Sequence, residues 1–322
     1  KPMSFYLISP FYWKNMNHKY TLQIHGLPTF ETVFDLAEQM HISYYDISLF
    51  VRRGFCFYKK IFLFKPGGGF REILQPCKEL KSIQAWILRN ILDKLTPSSV
   101  ASAYIIGRKP LFHTKPHNNN RYFYLADIKD FFPSITNKMV YSLFLDVGYS
   151  GNAASILTKL TTCNGVLPQG AVTSPAISNY VCLKLDKRLF GFTSRRNIAY
   201  TRYADDMVFS SNNRNELNLA SKTIKRIIEN EGFNINKEKT RYSGPRKNCN
   251  VIGLVKNTSE PEFRIGMRKK RKMRAIIYNA IKNNVFNDDK YKSMKSIEGW
   301  ISYVKSVDMK SYKQICDYMT KL

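Results

Sequence analysis

Acidic residues are scarce in this sequence. Its 322 residues carry 24 Asp and Glu against 51 Lys and Arg, a formal net charge of +27. A surplus of that size needs a polyanionic partner or carries a cost in self-repulsion. Long apolar runs are missing too: none approaches the ~18 residues of a membrane span. The aromatic, basic stretch from Lys1 to Tyr20 has no uninterrupted apolar core and no small-residue cleavage site, so no signal peptide is expected. Cysteine pairs are absent. Cys56, Cys77, Cys163, Cys182, Cys249 and Cys316 are scattered and form no C-x-x-C, which argues against a zinc ribbon. A disulfide framework is not expected at this size, and a reducing, cytoplasmic setting is the simpler expectation. There is no internal repeat and no low-complexity tract.

Apolar side chains are plentiful. Hydrophobic residues make up 44% and aromatics 14%, enough to bury a core, and the length allows two or three domains. Basic residues run along the whole chain, with one dense cluster at Arg268-Lys269-Lys270-Arg271-Lys272. Aromatics such as Phe62, Phe64, Phe70, Tyr122, Phe123 and Tyr124 are interleaved with them. Bases stack on such rings, whereas a lipid surface calls for a continuous amphipathic face. Composition therefore favours nucleic acid over a membrane; charge that merely keeps the chain in solution is the plainer alternative.

The pattern along the chain is mixed. Short helices are expected over 31–52, and strands over 55–64 and 70–74 joined by the Gly67-Gly68-Gly69 turn. Helical periodicity runs from Leu80 to Leu95 and stops before Pro97. Residues 122–128 read as a strand ending in an aspartate. Helices are expected over 137–147, 152–162 and 174–191, the last with Pro175 at its start. Residues 198–211 read as two strands around the polar turn Ala204-Asp205. An amphipathic helix follows over 217–228, stopped by Gly232, then a strand over 250–255. The last sixty residues form a helical bundle entered through the basic cluster. The fold class is α+β, an acid-bearing antiparallel sheet backed by helices.

Asp205 and Asp206 lie side by side at the turn of an apolar hairpin, and Asp127 ends another apolar strand. Adjacent carboxylates repel, and a divalent cation removes that cost. If the strands are neighbours, Asp127 and Asp205 face one point, and hard oxygen ligands of this kind suit two Mg²⁺ ions in phosphoryl transfer. The plain alternative is that Asp-Asp is an ordinary turn dipeptide. Against it, these acids sit among aromatic and aliphatic residues in a strongly basic chain.

Tyr203-Ala204-Asp205-Asp206 resembles the Tyr-x-Asp-Asp box of reverse transcriptases. Residues 125–135 (LADIKDFFPSI) resemble that family's first catalytic motif, and 167–179 (LPQGAVTSPAISN) its Leu-Pro-Gln-Gly motif. Residues 231–240 (EGFNINKEKT) resemble the Gly-x-x-x-x-x-x-Lys-Thr segment that follows the box. The four occur in the family's order over about 115 residues, and the match is closest to the bacterial retron reverse transcriptases, from about Lys65 to the C-terminus. Two retron-type signatures depart from the pattern. The Asn-Ala-x-x-His segment reads His113-Thr114-Lys115-Pro116-His117, and the Val-Thr-Gly segment reads Val251-Ile252-Gly253.

The resemblance implies a right-hand polymerase. It places an N-terminal extension over 1–30, fingers and palm over 31–245, and a helical thumb over 246–322. Asp127, Asp205 and Asp206 would be catalytic and, with the backbone carbonyl of Ile128, would hold two Mg²⁺. Arg71, assisted by Lys65, would grip the triphosphate, since a guanidinium suits phosphate oxygens. Phe132 falls at the steric gate that excludes a 2′-hydroxyl; a core phenylalanine is its alternative. Gln169 would lie near the incoming nucleotide. Lys239 is a phosphate-contacting or structural lysine, or a proton donor to pyrophosphate. Arg268, Lys269, Lys270, Arg271, Lys272 and Arg274 would hold the template–primer duplex. His117 would contact RNA or cap a loop.

The family implies partners as well: deoxynucleoside triphosphates, a cognate structured noncoding RNA, the branched RNA–DNA product primed from a 2′-hydroxyl (msDNA), and an effector protein acting in defence against phage. No membrane partner is expected. No room is expected for an RNase H domain after the thumb. The rivals are another prokaryotic reverse transcriptase, and an RNA-binding scaffold that restrains an effector.

Overall fold

The computed structural model describes residues 22–64, 68–256 and 262–322. The chain divides into two compact units. One comprises Lys1–Pro97 with Asp130–Leu183, the other Ser98–Lys129 with Lys184–Leu322.

The first unit is mostly helical and carries one hairpin. The expected helical stretch near its start forms as Val33–Met40 and Tyr44–Arg53. Thr32 and Asp35 close a capping box on the first, and His41 ends it in the left-handed region at φ 53°. The hairpin pairs β1 (Tyr58–Phe64) with β2 (Phe70–Pro76), setting Leu63 opposite Arg71 and Phe64 opposite Phe70. β1 starts later than the sequence pattern suggests, because Gly54–Phe57 form a short 3₁₀ turn. The helix Lys78–Asn90 also stops short of Leu95. Its last part leaves the ladder at Ile91 and continues as the 3₁₀ turn Leu92–Lys94. Asn137–Val147 and Gly151–Thr161 form as expected, each capped by a hydroxyl, from Thr136 and Ser150.

Leu36, Ile47, Ile83, Ile87, Phe144 and Leu157 fill this unit's core. Buried among them, Gln84 donates its amide to Tyr58 Oη (2.8 Å) and to the Leu160 carbonyl (3.0 Å). That satisfies a polar group that would otherwise cost ~1–3 kcal/mol, and ties the hairpin base to the helices. The expected helix over 174–191 is two, Ser174–Val181 and Leu183–Ser194. Cys182, at ψ 0°, breaks the ladder between them.

The second unit is built on a four-stranded antiparallel sheet. β3 (Tyr122–Asp127), β4 (Ala199–Tyr203), β5 (Asp206–Ser211) and β6 (Arg241–Ser243) lie in the order β4-β5-β3-β6. The helix Arg214–Asn230, capped by Asn213, packs on β3 and β5. It buries Leu217, Ile224, Ile227 and Ile228, worth ~1.5–3 kcal/mol each before the entropy of ordering them. The other face of the sheet, through Phe123, Leu125 and Val208, shares a core with the C-terminal residues Leu254, Met273, Ile276, Trp300 and Val304. Apolar cover on both faces explains why β3 is buried from Phe123 onward and reads as a continuous apolar run.

The expected strand over 250–255 is instead a hairpin, β7 (Cys249–Val251) and β8 (Leu254–Lys256), joined to β9 (Arg264–Ile265). The chain reverses at Ile252 (φ 44°) and Gly253 (φ 77°). Positive φ at both central residues is the type I′ pattern of two-residue hairpins, so a β-branched residue sits where one is strongly disfavoured. The helices Met267–Lys282, Met294–Val307 and Met309–Met319 complete the expected C-terminal bundle. Among the described residues no helix is long and apolar enough to cross a membrane.

Candidate active site

Register brings the carboxylates together. β3 and β5 pair antiparallel so that Asp127 lies directly opposite Asp206. Two residues back along each strand, Leu125 lies opposite Val208 on the same face. Directly opposed residues have Cβ atoms ~4.5–5.5 Å apart, and like charges there destabilise a sheet. Asp205 sits one residue earlier in the β4–β5 turn, which Tyr203 and Asp206 close as a pair. Its backbone carbonyl accepts from the Ile128 amide at 3.1 Å, and Ile128 also bridges Ile235. Ala204, the first turn residue, is buried and left-handed at φ 55°.

The segment 234–240 is stitched onto the end of β3. Lys129 donates to the Asn234 carbonyl, and Asn236 donates to the Asp127 carbonyl, each at 2.8 Å. Thr240 closes the segment on itself, its hydroxyl donating to the Asn236 carbonyl at 2.7 Å. This brings Lys239 Nζ to 2.9 Å from Asp127 Oδ2. Lys239, still more than half exposed, is therefore paired with one of the three aspartates. Asp127 raises its pKa in turn, chiefly through their hydrogen bond.

The electrostatics fit a cation. Asp127 Oδ1 is buried and has no hydrogen-bond partner among the described residues. Burial, then the charges of Asp205 and Asp127, push Asp206 up to about 6, against the opposing pull of Lys239 and Arg241. An orphaned carboxylate oxygen, a carboxyl resisting ionisation and an ammonium as stand-in cation suit a hard divalent ion. Among the described residues no three His, Cys, Asp or Glu side chains converge as a ready metal cluster. Lys239 already holds one oxygen of Asp127.

The other site residues named from the sequence fall into three groups. Arg71, Phe132 and Gln169 belong to the first unit. Arg71 is exposed on β2. The Gln169 carbonyl accepts from the Leu74 amide at 2.7 Å, so the hairpin is docked on the Leu-Pro-Gln-Gly segment. Gly170 (φ 124°) permits that docking, since a Cβ there would lie 2.6 Å from Ile73 Cγ2 and 2.8 Å from the Leu74 carbonyl oxygen. Phe132 is half-buried beside the fully buried Phe131, their centroids 5.5 Å apart. Lys65 lies outside the described residues.

His117 requires a correction. It is fully buried, with Nδ1 2.6 Å from Ser210 Oγ and Nε2 2.8 Å from Thr201 Oγ1. Burial holds its pKa well below the ordinary histidine value. A ring spent on two strands cannot stack on RNA, so its role is to tie the 115–117 turn to β4 and β5. His113, at the altered position of the same motif, is buried too, at 5.8 Å between its ring and that of Tyr203.

The basic cluster lies on the helix Met267–Lys282. Lys270 pairs with Asp308 at 3.9 Å and Lys272 with Asp288 at 2.6 Å. Lys269 and Arg274 lie over the rings of Tyr303 and Tyr318. Arg268 and Arg271 are exposed. Four of the six charges thus have a partner within the chain, although Lys272 and Arg274 stay exposed and only Lys269 and Lys270 are partly buried.

Sequence reasoning also missed Asp186 and Arg202. They form a buried bidentate pair, Arg202 Nε to Asp186 Oδ1 at 2.8 Å and Nη2 to Oδ2 at 2.7 Å. The available signal was an arginine inside the otherwise apolar run 198–203.

Comparison with known proteins agrees with this geometry. The family model described as "Reverse transcriptase (RNA-dependent DNA polymerase)" matches residues 63–256. The Retron Ec86 reverse transcriptase of Escherichia coli is 35% identical over 299 residues, 92% of this chain and 91% of that protein. The Retron Mx162 reverse transcriptase of Myxococcus xanthus is 30% identical over 289 residues, 80% of this chain and 59% of that protein. Among solved structures, an apo telomerase from Candida tropicalis matches with a TM-score of 0.52 and 11% identity, over 82% of this chain and 59% of that one. At that identity the likeness shows the fold alone.

Proposed function

Since this chain belongs to the bacterial retron reverse transcriptases, and is thereby an RNA-directed DNA polymerase, we propose that it copies part of a cognate structured noncoding RNA, priming from a 2′-hydroxyl to give a branched RNA–DNA hybrid. The hybrid would stay bound and act with an effector protein against phage. The observation that carries the catalytic part is the pairing of Asp127 with Asp206 across β3 and β5, with Asp205 at the adjoining turn.

Asp127, Asp205, Asp206 and the Ile128 carbonyl would hold two Mg²⁺, which when bound supply neutralisation of the charge that builds on the attacking and leaving oxygens. The chain's own residues do the rest. Lys239 holds Asp127 Oδ2 and releases it as that oxygen is needed. Arg71 receives the triphosphate with its planar fork, and the Gln169–Gly170 segment that anchors β2 fixes where that fork stands. Phe132 crowds the sugar and rejects a 2′-hydroxyl. Arg268 and Arg271, two exposed charges of the basic cluster, take duplex phosphates. In this scheme 31–245 serve as fingers and palm and 246–322 as thumb.

The test is to purify the protein from its natural locus with flanking DNA and to extract the nucleic acid that comes with it. On a denaturing gel, a discrete species that RNase shortens to a DNase-sensitive core is the expected result. RNA with no DNA would refute the branched-product reading and favour a scaffold.

A further inference from the structure

We propose that the buried Asp186–Arg202 pair is a positioning device for the catalytic turn. Arg202 has 0% and Asp186 1% side-chain exposure. Beyond the bidentate contact, Tyr200 Oη donates to Asp186 Oδ1 at 2.9 Å. The remaining guanidinium nitrogen, Arg202 Nη1, donates to the Ala204 carbonyl at 3.3 Å. Ala204 is the left-handed residue that precedes Asp205. The Arg202 backbone is fixed as well. Its amide donates to the Val100 carbonyl at 3.0 Å, and its carbonyl accepts from the Ser102 amide at 2.9 Å and hydroxyl at 2.8 Å.

Stability alone does not account for this arrangement. A buried ion pair is often replaceable by apolar residues of similar volume without loss of stability. What an apolar pair cannot do is hold a carbonyl. An L residue at φ 55° is disfavoured, so the Ala204–Asp205 peptide would relax without a partner. The same peptide unit carries Asp205, whose carbonyl receives the Ile128 amide, and leads directly into Asp206 opposite Asp127. The guanidinium thus sets the angle at which both carboxylates of the turn are presented. It touches no reacting atom and acts through Ala204. Lysine cannot replace it, because one ammonium cannot span both Asp186 oxygens and the carbonyl.

The inference rests on Asp205 and Asp206 being the catalytic pair, so Asp205→Asn is run alongside. Single-nucleotide incorporation is measured with Arg202→Lys, with Asp186→Leu/Arg202→Met, and with Arg202→Lys/Ala204→Gly. Mn²⁺ affinity is measured on the same proteins by electron paramagnetic resonance. The expected result is a kcat at least tenfold lower in Arg202→Lys and in the apolar double variant. The dNTP KM stays within about twofold, Mn²⁺ affinity falls several-fold, and the apolar variant still unfolds in one cooperative transition, at a melting temperature lowered by the loss of the Tyr200–Asp186 hydrogen bond. Glycine accepts φ 55° unaided, so Arg202→Lys/Ala204→Gly recovers at least threefold over Arg202→Lys. Wild-type kcat and Mn²⁺ affinity in the folded apolar variant, with Asp205→Asn inactive, would overturn the positioning role alone. Unchanged incorporation in Asp205→Asn would instead overturn the catalytic assignment beneath it.

Discussion

Lowering the pH from about 7.5 to about 5 should cost the fold about 2 kcal/mol through His113 alone. Burial, then the nearby Arg202 charge, depresses its pKa from 6.5 to about 3. The unfolded chain takes up the proton first, so the contribution is complete above pH 6.5 and drains away as the pH falls toward about 3. At pH 5 the gap already opened is about 1.5 pH units, and at 1.36 kcal/mol per unit this gives about 2 kcal/mol. At ~2–4 °C per kcal/mol for a chain of this order, the melting temperature falls by roughly 4–8 °C. His117 adds a change of the same sign. The assay is the melting temperature against pH for the wild type and for His113→Phe, which removes the titrating group. The difference between the two curves isolates His113 from Asp206, whose raised pKa works in the opposite direction. Identical pH dependence in the two proteins would refute the reasoning.

Gly170→Ala should destabilise the first unit by at least ~2 kcal/mol, since the new methyl meets a backbone oxygen at 2.8 Å and the backbone is left-handed; urea denaturation measures it, and an unchanged midpoint contradicts it. Phe132→Ala should admit ribonucleotides, read as a fall of tenfold or more in the ratio of kcat/KM for dNTP over rNTP, whereas an unchanged ratio makes Phe132 a core residue. Removing Arg268 and Arg271 together should flatten the slope of log affinity for duplex against log salt by ~1.4–1.8. Lys272→Ala should move that slope little, because its charge is already paired with Asp288; an equal change in both would refute the division of labour in the helix.

Much of this was legible in the sequence because single residues constrain the backbone strongly. The Ala204-Asp205 turn between two apolar runs predicts the hairpin that forms, and the apolar runs that end in Asp127 and flank Asp205-Asp206 predict an acid-bearing sheet. What could not be read is register. Nothing local states that Asp127 meets Asp206 rather than a neighbour; the shared core and turn geometry decide it. The hairpin at Ile252 was unreadable because an isoleucine at positive φ contradicts its own propensity, and only the surrounding β7–β9 sheet imposes it. His117 was misjudged for a related reason. A histidine beside basic and polar residues reads as exposed, and its burial depends on Thr201 and Ser210, more than eighty residues away. Arg202 shows the same limit from the other side, since its partner Asp186 lies on a separate helix.

The central claim is that these three carboxylates drive DNA synthesis on the protein's own bound RNA. It is tested most directly by purifying the wild type and Asp205→Asn from the natural locus in parallel and resolving the bound nucleic acid with and without nucleases. The account predicts RNA-linked DNA with the wild type and the same RNA, without DNA, with Asp205→Asn. Equal amounts of RNA-linked DNA from both proteins would contradict it.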